Sequence, residues 1–337
     1  MRDQRGPAET TLTQQNTNWW IWGIRLLACG PVAVLAGSAS WSFAEPWCSP
    51  FVPQATSMLA MIFAWAIWKR LSYLKVPVFF ATLWGSWSWM QGLHPPNAAA
   101  TFTPPKNEKL LSVGFANLGI TTAPSLDTQD PLATWFHLEP LDIFGVVECH
   151  PDRVNQIQSW REWHTVHAEP DARGANGIAI FSMFPIDSVQ ISRTPNARLD
   201  HLTAIIKGPQ GTLQVEVTHP CPPIPGLLHQ RKSEFDHLEK AARSAEFPVL
   251  VLGDLNETPF GTAWQELLTK SELVAAQPLS VATWPSQLKG VPIPQWLGIR
   301  IDHILVSADL GFTPVEVGPR MASDHRAIKT KIWRHAQ

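Results

Sequence analysis

Charge is nearly missing from the first third of this chain. Only three acidic residues, Asp3, Glu9 and Glu45, and six basic ones precede residue 105. A stretch that long and that uncharged cannot present the solvated surface of an ordinary globular domain. Ten of the 17 tryptophans, from Trp19 to Trp89, fall in it, whereas the whole chain has a single tyrosine. Indole rings favour the bilayer interface, so the combination predicts a membrane region. Basic clusters are also lacking. With six of the 26 Lys and Arg and three of the 28 Asp and Glu before residue 105, the remainder stands at 20 against 25. Duplex nucleic acid is held largely through basic side chains on its phosphates. No basic run or stripe is present, which disfavours nucleic acid as the main partner. No internal repeat is visible.

The apolar segments set a domain plan. Leu26–Ala44, Gln54–Trp68 and Val76–Leu93 approach the ~20 residues that a spanning helix needs, and Arg25 can snorkel from the edge of the first. Residues 1–94 therefore read as a membrane region with about three transmembrane helices. Ser42-Phe43-Ala44 also fits a signal-peptidase site, but its long, Trp-rich lead-in argues against cleavage. Lys69, Arg70 and Lys75 lie between the second and third spans, while Glu45–Pro53 carries no Lys or Arg. The positive-inside rule puts the N-terminus and the 69–75 loop in the cytoplasm. The domain beyond the third span is then periplasmic or extracellular, on a multi-pass protein of the cytoplasmic membrane. Residues 95–107, Pro95-Pro96 through Pro104-Pro105, read as a Pro-rich tether. Of the four cysteines, Cys29 lies in the first span, and Cys48, Cys149 and Cys221 would lie outside, where disulfides persist. Cys149 and Cys221 read as buried thiols, with pairing as the alternative.

Polar residues at strand ends carry the chemistry of the remainder. Val249–Asn256 is an apolar run, a buried strand by its Val and Leu content, that stops at Gly253 and delivers Asp254 and Asn256. Strand alternation puts those two on one face; alternatively, the Gly-Asp-x-Asn turn caps a helix starting near Thr258. Leu111–Asn117 ends in Asn, Leu141–Glu148 in Glu and Leu213–His219 in His, while Arg300–Ser307 carries Asp302 at its start. Ser323-Asp324-His325 comes near the C-terminus. Unpaired buried polar groups are costly, and six such segments point to a shared site. Carboxylate and carboxamide oxygens suit Mg²⁺ or Mn²⁺.

These segments, in this order, resemble the endonuclease/exonuclease/phosphatase superfamily of metal-dependent phosphoesterases. Gly177–Ile186 resembles its Gly-x-Ala-x-x-Ser-x-x-Pro-Ile strand. The resemblance implies an α+β fold over residues 108–335, a four-layer α/β sandwich with two packed β-sheets and helices outside, preceded by the N-terminal transmembrane helical region. Alternation of strands and helices alone would suggest a parallel doubly wound sheet. The resemblance also implies Mg²⁺ (or Mn²⁺) held by Glu148, Asn117 and Asp324. By the same resemblance Asp254 orients or deprotonates water and Asn256 holds a phosphate oxygen. His325 polarises the phosphate with Asp302 fixing its tautomer, and His219 contacts the phosphate or protonates the leaving group. Val147 and Met183 stand where many relatives have Gln and Arg; Asn176 is either a phosphate contact or a turn residue. His219-Pro220-Cys221-Pro222-Pro223 is similar to the membrane-anchored bacterial members of the teicoplanin-resistance type. That implies a phosphorylated, lipid-linked substrate such as a polyprenyl pyrophosphate, although a stiff rim is an equal reading of those prolines. The alternative function is an exported, membrane-anchored endonuclease/exonuclease.

Overall fold

The computed structural model describes residues 29–38, 48–68, 72–93, 104, 109–119, 130–168, 177–193, 200–276 and 282–335. The linker apart from Pro104, Lys69 and Arg70, Ser42–Ala44, the ends of the first apolar span and Asn176 lie outside them. The chain divides into two compact units, Met1–Gln91 and Gly92–Gln337.

In the first unit the three apolar spans correspond to the helices Cys29–Ser38, Val52–Trp68 and Ser72–Leu93. Among the described residues one helix, Ser49–Ile67, is long and apolar enough to cross a membrane. The helix Ser72–Leu93 exposes Val76, Phe80 and Trp87, each more than half accessible. No charge breaks its stretch from Val76 to Leu93.

The second unit contains two β-sheets. The first is built from β1 (Leu111–Asn117), β2 (Ile143–Val147), β3 (Thr165–Ala168), β4 (Ile178–Ser182), β13 (Leu310–Phe312), β14 (Glu316–Arg320) and β15 (Arg326–Arg334). Its order is β13-β15-β1-β2-β4-β3, with β14 also on β15. The second holds β5 (Ile186–Arg193), β6 (Asp200–Gly208), β7 (Gly211–Thr218), β8 (Val249–Asp254), β9 (Val274–Ala275) and β12 (Asp302–Val306), ordered β5-β6-β7-β8-β12-β9. A separate hairpin pairs β10 (Gln287–Leu288) with β11 (Val291–Pro292).

Each sheet has one inner parallel pair, β1–β2 and β7–β8, flanked by antiparallel neighbours. The parallel doubly wound sheet suggested by α/β alternation is therefore not the fold. The antiparallel hairpins β5–β6 and β6–β7 and the return strands β12 and β15 replace most of its helical crossovers. This arrangement also locates the site. The C-terminal ends of β1, β2, β7 and β8 lie at one rim, and antiparallel β12 and β15 begin there.

Alternation sorts the side chains into layers. Val113, Phe115, Ile143 and Ile180 of the first sheet share a core with Val215, Val217, Leu250, Leu252 and Ile304 of the second. Phe144, Val146 and Phe181 face the other way, beneath the helices Pro131–Leu138 and Pro151–Gln158. Val249, Val251 and Leu305 pack under the helices Leu228–Arg243 and Thr262–Ser271. The result is the four-layer arrangement of helices, sheet, sheet, helices. Each buried Val, Leu, Ile or Phe contributes about 1.5–3 kcal/mol, so both faces of β2 and β8 favour one register.

Two local expectations change and a third is settled. Gly177–Ile186 is not one strand: β4 ends at Ser182 and β5 starts at Ile186, in the other sheet. Ser182 Oγ donates to Phe184 O and accepts from Phe184 N–H, closing the corner ahead of Pro185. The helix after Asn256 runs Thr262–Ser271, as the helical stretch from Thr262 in the sequence indicates, and Thr258 lies ahead of it in a turn where Gly261 N–H bonds Thr258 O. The strand Leu141–Glu148 contracts to Ile143–Val147, and Glu148 leaves it with φ 48°.

Candidate active site

Glycine sets the geometry around the rim. A Cβ on Gly253 would meet Thr218 O at 2.7 Å, so β7 and β8 approach fully only with glycine there. That closeness brings His219, one residue beyond β7, to Asp254 at the end of β8. A Cβ on Gly177 would collide with Cys149 O, just after Glu148, and Cys149 N–H bonds Gly177 O at 3.4 Å. Glu148 and Asn256 both lie in the left-handed region, φ 48° and 49°. Asn tolerates it, whereas for Glu it costs about 1 kcal/mol or more, strain of the kind that gathers at functional sites.

Asp254 is the centre of the cluster and is 1% exposed. Its Oδ2 accepts from Asn117 Nδ2 at 3.0 Å and lies 3.4 Å from His219 Nε2 and 3.7 Å from His325 Nε2. Asn117 Nδ2 also donates to Glu148 Oε1 at 3.1 Å, and His219 Nε2 is 3.6 Å from that oxygen. Two carboxylates from opposite sheets therefore share one amide and one imidazole. Gly119 N–H donates to Asn117 Oδ1, so Asn117 turns its NH₂ group, not its oxygen, to the carboxylates. His219 Nδ1 is buried and finds no partner among the described residues.

Asp302 stands opposite Asp254 in the β8–β12 register and is fully buried. Its carboxylate grips His325 Nδ1 at 2.9 and 3.1 Å. Burial pushes the Asp302 carboxyl up, opposed by His325. Burial pulls the His325 imidazole down, but the charge of Asp302 and then of Asp254 outweighs it and holds the group up at about 10. The pair thus keeps a proton between ring and carboxylate at neutral pH, and His325 Nε2 faces Asp254 as an N–H.

Asn256 and Asp324 sit differently from their strand-end partners. Asn256 lies beyond β8; its N–H bonds Asp254 Oδ1 and its Nδ2 bonds Pro220 O at 3.1 Å, so strand alternation does not place it. It pins the proline-rich loop after His219. Asp324 is exposed and accepts from Trp284 Nε1 at 2.8 Å, outside the cluster around Glu148. Cys149 and Cys221 are two buried thiols rather than a disulfide. Burial pushes Cys149 up to about 12, and Cys221 Sγ donates to Glu234.

Sequence reasoning missed the supports. Thr283 Oγ1 accepts from Asp302 N–H at 3.2 Å, and Ser323 Oγ accepts from His325 N–H at 3.0 Å. Trp284, forty residues before Asp324, also lies tilted against the His325 ring, with centroids 6.5 Å apart. Only the Thr283-Trp284-Pro285 run, in a region without helical or strand periodicity, could have hinted at it.

The donor set fits a divalent cation. Glu148, His219 and Asp254 each offer a ligand atom within 4.8 Å of the others, and so do Asp254, Asp302 and His325. In the second group the imidazole and Asp302 already satisfy each other. The Glu148 group has two carboxylates sharing one amide, an excess of negative charge that a cation would relieve.

A family model described as Endonuclease/Exonuclease/phosphatase family matches residues 116–325. No curated protein matches the chain. Among solved structures, an endonuclease/exonuclease/phosphatase from Beutenbergia cavernae is 19% identical, with 68% of this chain and 72% of that one covered and a TM-score of 0.54. D. rerio TDP2 complexed with single strand DNA product is 14% identical, with 67% and 99% covered and a TM-score of 0.53. A mannosyl-6-phosphatase from Bacteroides thetaiotaomicron is 17% identical, with 66% and 99% covered and a TM-score of 0.50. At these identities the structural likeness is one of fold.

Proposed function

The chain belongs to the endonuclease/exonuclease/phosphatase family of metal-dependent phosphoester hydrolases, and from that premise we propose that it hydrolyses a lipid-linked phosphate ester or pyrophosphate outside the cytoplasm. One observation carries the chemistry: Asp254 lies within 3.7 Å of two imidazoles, with Asn117 joining it to Glu148.

Glu148, beside Asp254, would hold Mg²⁺ or Mn²⁺; Asn117, expected as a ligand, presents its NH₂ group and ties the two carboxylates together instead, and Asp324 is engaged by Trp284 away from them. A bound divalent cation supplies charge neutralisation on phosphoryl oxygens and acidifies water. The remaining work falls to this chain's own side chains. Asp254 is the carboxylate placed to orient a water molecule and take its proton. His325, protonated through Asp302, presents Nε2–H where negative charge grows on the phosphoryl group. Such preorganised donors act strongly in a site shielded from water. His219 Nε2 faces the same space and is placed to contact the phosphate or donate to the leaving oxygen. Asn256 holds the His219-Pro220 loop at the rim, within reach of a phosphate oxygen.

The lipid-linked reading is supported by the Ser49–Ile67 helix, by the Trp-rich first third and by the acidic balance of the remainder. The basic residues Lys69, Arg70 and Lys75 support an external catalytic domain. The test is a substrate panel on detergent-solubilised full-length protein with Mg²⁺. A polyprenyl pyrophosphate should turn over, compared with a phospholipid, a soluble phosphodiester and single- and double-stranded DNA. Strong DNA cleavage without activity on lipid phosphates would replace this reading with the nuclease one.

A further inference from the structure

The second unit carries an amphiphilic projection beside the site. Lys289 (φ 49°) and Gly290 (φ 82°) form the left-handed two-residue turn of the β10–β11 hairpin. Leu288 and Val291 on its strands are each 64% exposed, and Trp296 just beyond is 75% exposed. Leu297 is exposed as well. A two-stranded hairpin is marginal in water, and this one presents its large apolar side chains to solvent.

Behind the hairpin is an open groove of about 770 Å³, lined by Pro292–Trp296 with Arg320 and Arg326. The two arginines are direct cross-strand partners on β14 and β15. Like charges so placed repel, and neither has a carboxylate partner among the described residues. Among the described residues Arg326 Nη1 reaches only Gly318 O, at 3.3 Å. Paired guanidiniums facing an apolar groove suit an anion, above all a phosphate, which arginine binds well.

The projection is tied to the catalytic loop. Gln287 Nε2 donates to Met321 O, Ala322 O and Ser323 O at 3.0–3.2 Å. Ser286 N–H donates to Asp324 O at 2.6 Å, and Arg326 directly follows His325.

We propose that the β10–β11 hairpin and its groove dock the catalytic unit on a phosphate-bearing bilayer surface, with Leu288, Val291 and Trp296 entering the interface and Arg320 and Arg326 receiving a lipid phosphate. Aliphatic tips favour lipid over nucleic acid, because Leu and Val offer no stacking face to a base. Tryptophan and basic residues lining one groove match the composition of the interfacial belt. The Ser49–Ile67 helix on the same chain supplies an independent pointer to a membrane. The proposal rests on the lipid-linked reading of the site and names the surface that would present that substrate.

The experiment uses the full chain reconstituted in phosphatidylcholine–phosphatidylglycerol vesicles, with Trp296→Ala and the double variant Arg320→Ala/Arg326→Ala. A long-chain prenyl pyrophosphate in the vesicles is compared with water-soluble bis-p-nitrophenyl phosphate. The variants should lose about tenfold or more in kcat/KM on the vesicle substrate and keep their activity on the soluble one. Arg320→Lys/Arg326→Lys should recover part of the loss. Equal losses on both substrates, or none on the vesicle substrate, would overturn the docking role while leaving the hydrolase reading intact. Single-stranded DNA is the third substrate, and losses confined to its cleavage would assign the groove to nucleic acid instead. If the parent chain turns over neither phosphate, the hydrolase reading fails. Docking is then read directly from a fluorophore on Leu288→Cys, with the identically labelled parent as blank. Quenching by brominated lipids supports it, and emission unchanged by vesicles refutes it.

Discussion

Replacing Glu216 with glutamine should make the protein more stable at neutral pH, by an amount that depends on pH in a defined way. Glu216 lies on β7, 1% exposed, on the face away from the inter-sheet core. Its carboxylate accepts from Thr203 Oγ1 and Gln214 Nε2, both at 2.8 Å. Burial pushes its pKa up to about 7 from 4.5, and those two hydrogen bonds pull only partly the other way. The unfolded chain loses this proton near pH 4.5, whereas the folded chain holds it to about 7. Because the folded state binds more protons in that window, stability falls as pH rises from 4.5 to 7 and levels off above. At about 1.4 kcal/mol per unit, the ionised carboxylate costs roughly 3 kcal/mol at pH 8. Glutamine matches the protonated carboxyl, with one acceptor oxygen and one donor side, so Glu216→Gln should be near neutral at pH 4.5. At pH 8 it should gain roughly 2–3 kcal/mol, raising Tm by several degrees. Urea unfolding of the detergent-solubilised chain across that range measures it. A gain that does not change with pH, or a loss at pH 8, would refute the burial argument.

Asp302→Asn should fold normally by circular dichroism yet lower kcat by about 10²-fold or more, because His325 loses the carboxylate that keeps it protonated and aimed. Asp254→Asn should lose activity to a similar degree, and added Mg²⁺ or Mn²⁺ should not restore it; recovery with metal would make Asp254 a ligand rather than the water-orienting group. Gly177→Ala should cost about 2–3 kcal/mol by denaturant midpoint, since its Cβ meets the rigid Cys149 carbonyl.

Much of this was legible in the residues. β1 spans Leu111–Asn117 as its apolar run indicates, and the Val249–Leu252 run marks β8 because buried central strands are continuously apolar. The six polar segments could be read as a group. Their meeting point could not, since it depends on two inner parallel pairs and antiparallel return strands, which no local pattern encodes. Asn256 was assigned to a strand face although the chain has already turned there, with φ 49°. The Gly177–Ile186 motif reads as one strand because period-two alternation continues across the Ser182–Pro185 corner. Asp324 looked like its neighbour His325, but an indole forty positions away engages its carboxylate.

Metal dependence of Glu148→Gln tests the central claim most directly. Glutamine keeps the shape and removes the charge that would hold the cation. Phosphoester hydrolysis by full-length protein in detergent should be measured against Mg²⁺ and Mn²⁺ concentration, with a chelator as the zero. The account predicts that chelation abolishes parent activity and that Glu148→Gln is weak at low metal but partly restored as metal rises. Full activity of Glu148→Gln at low metal, together with a parent enzyme indifferent to chelator, would contradict it.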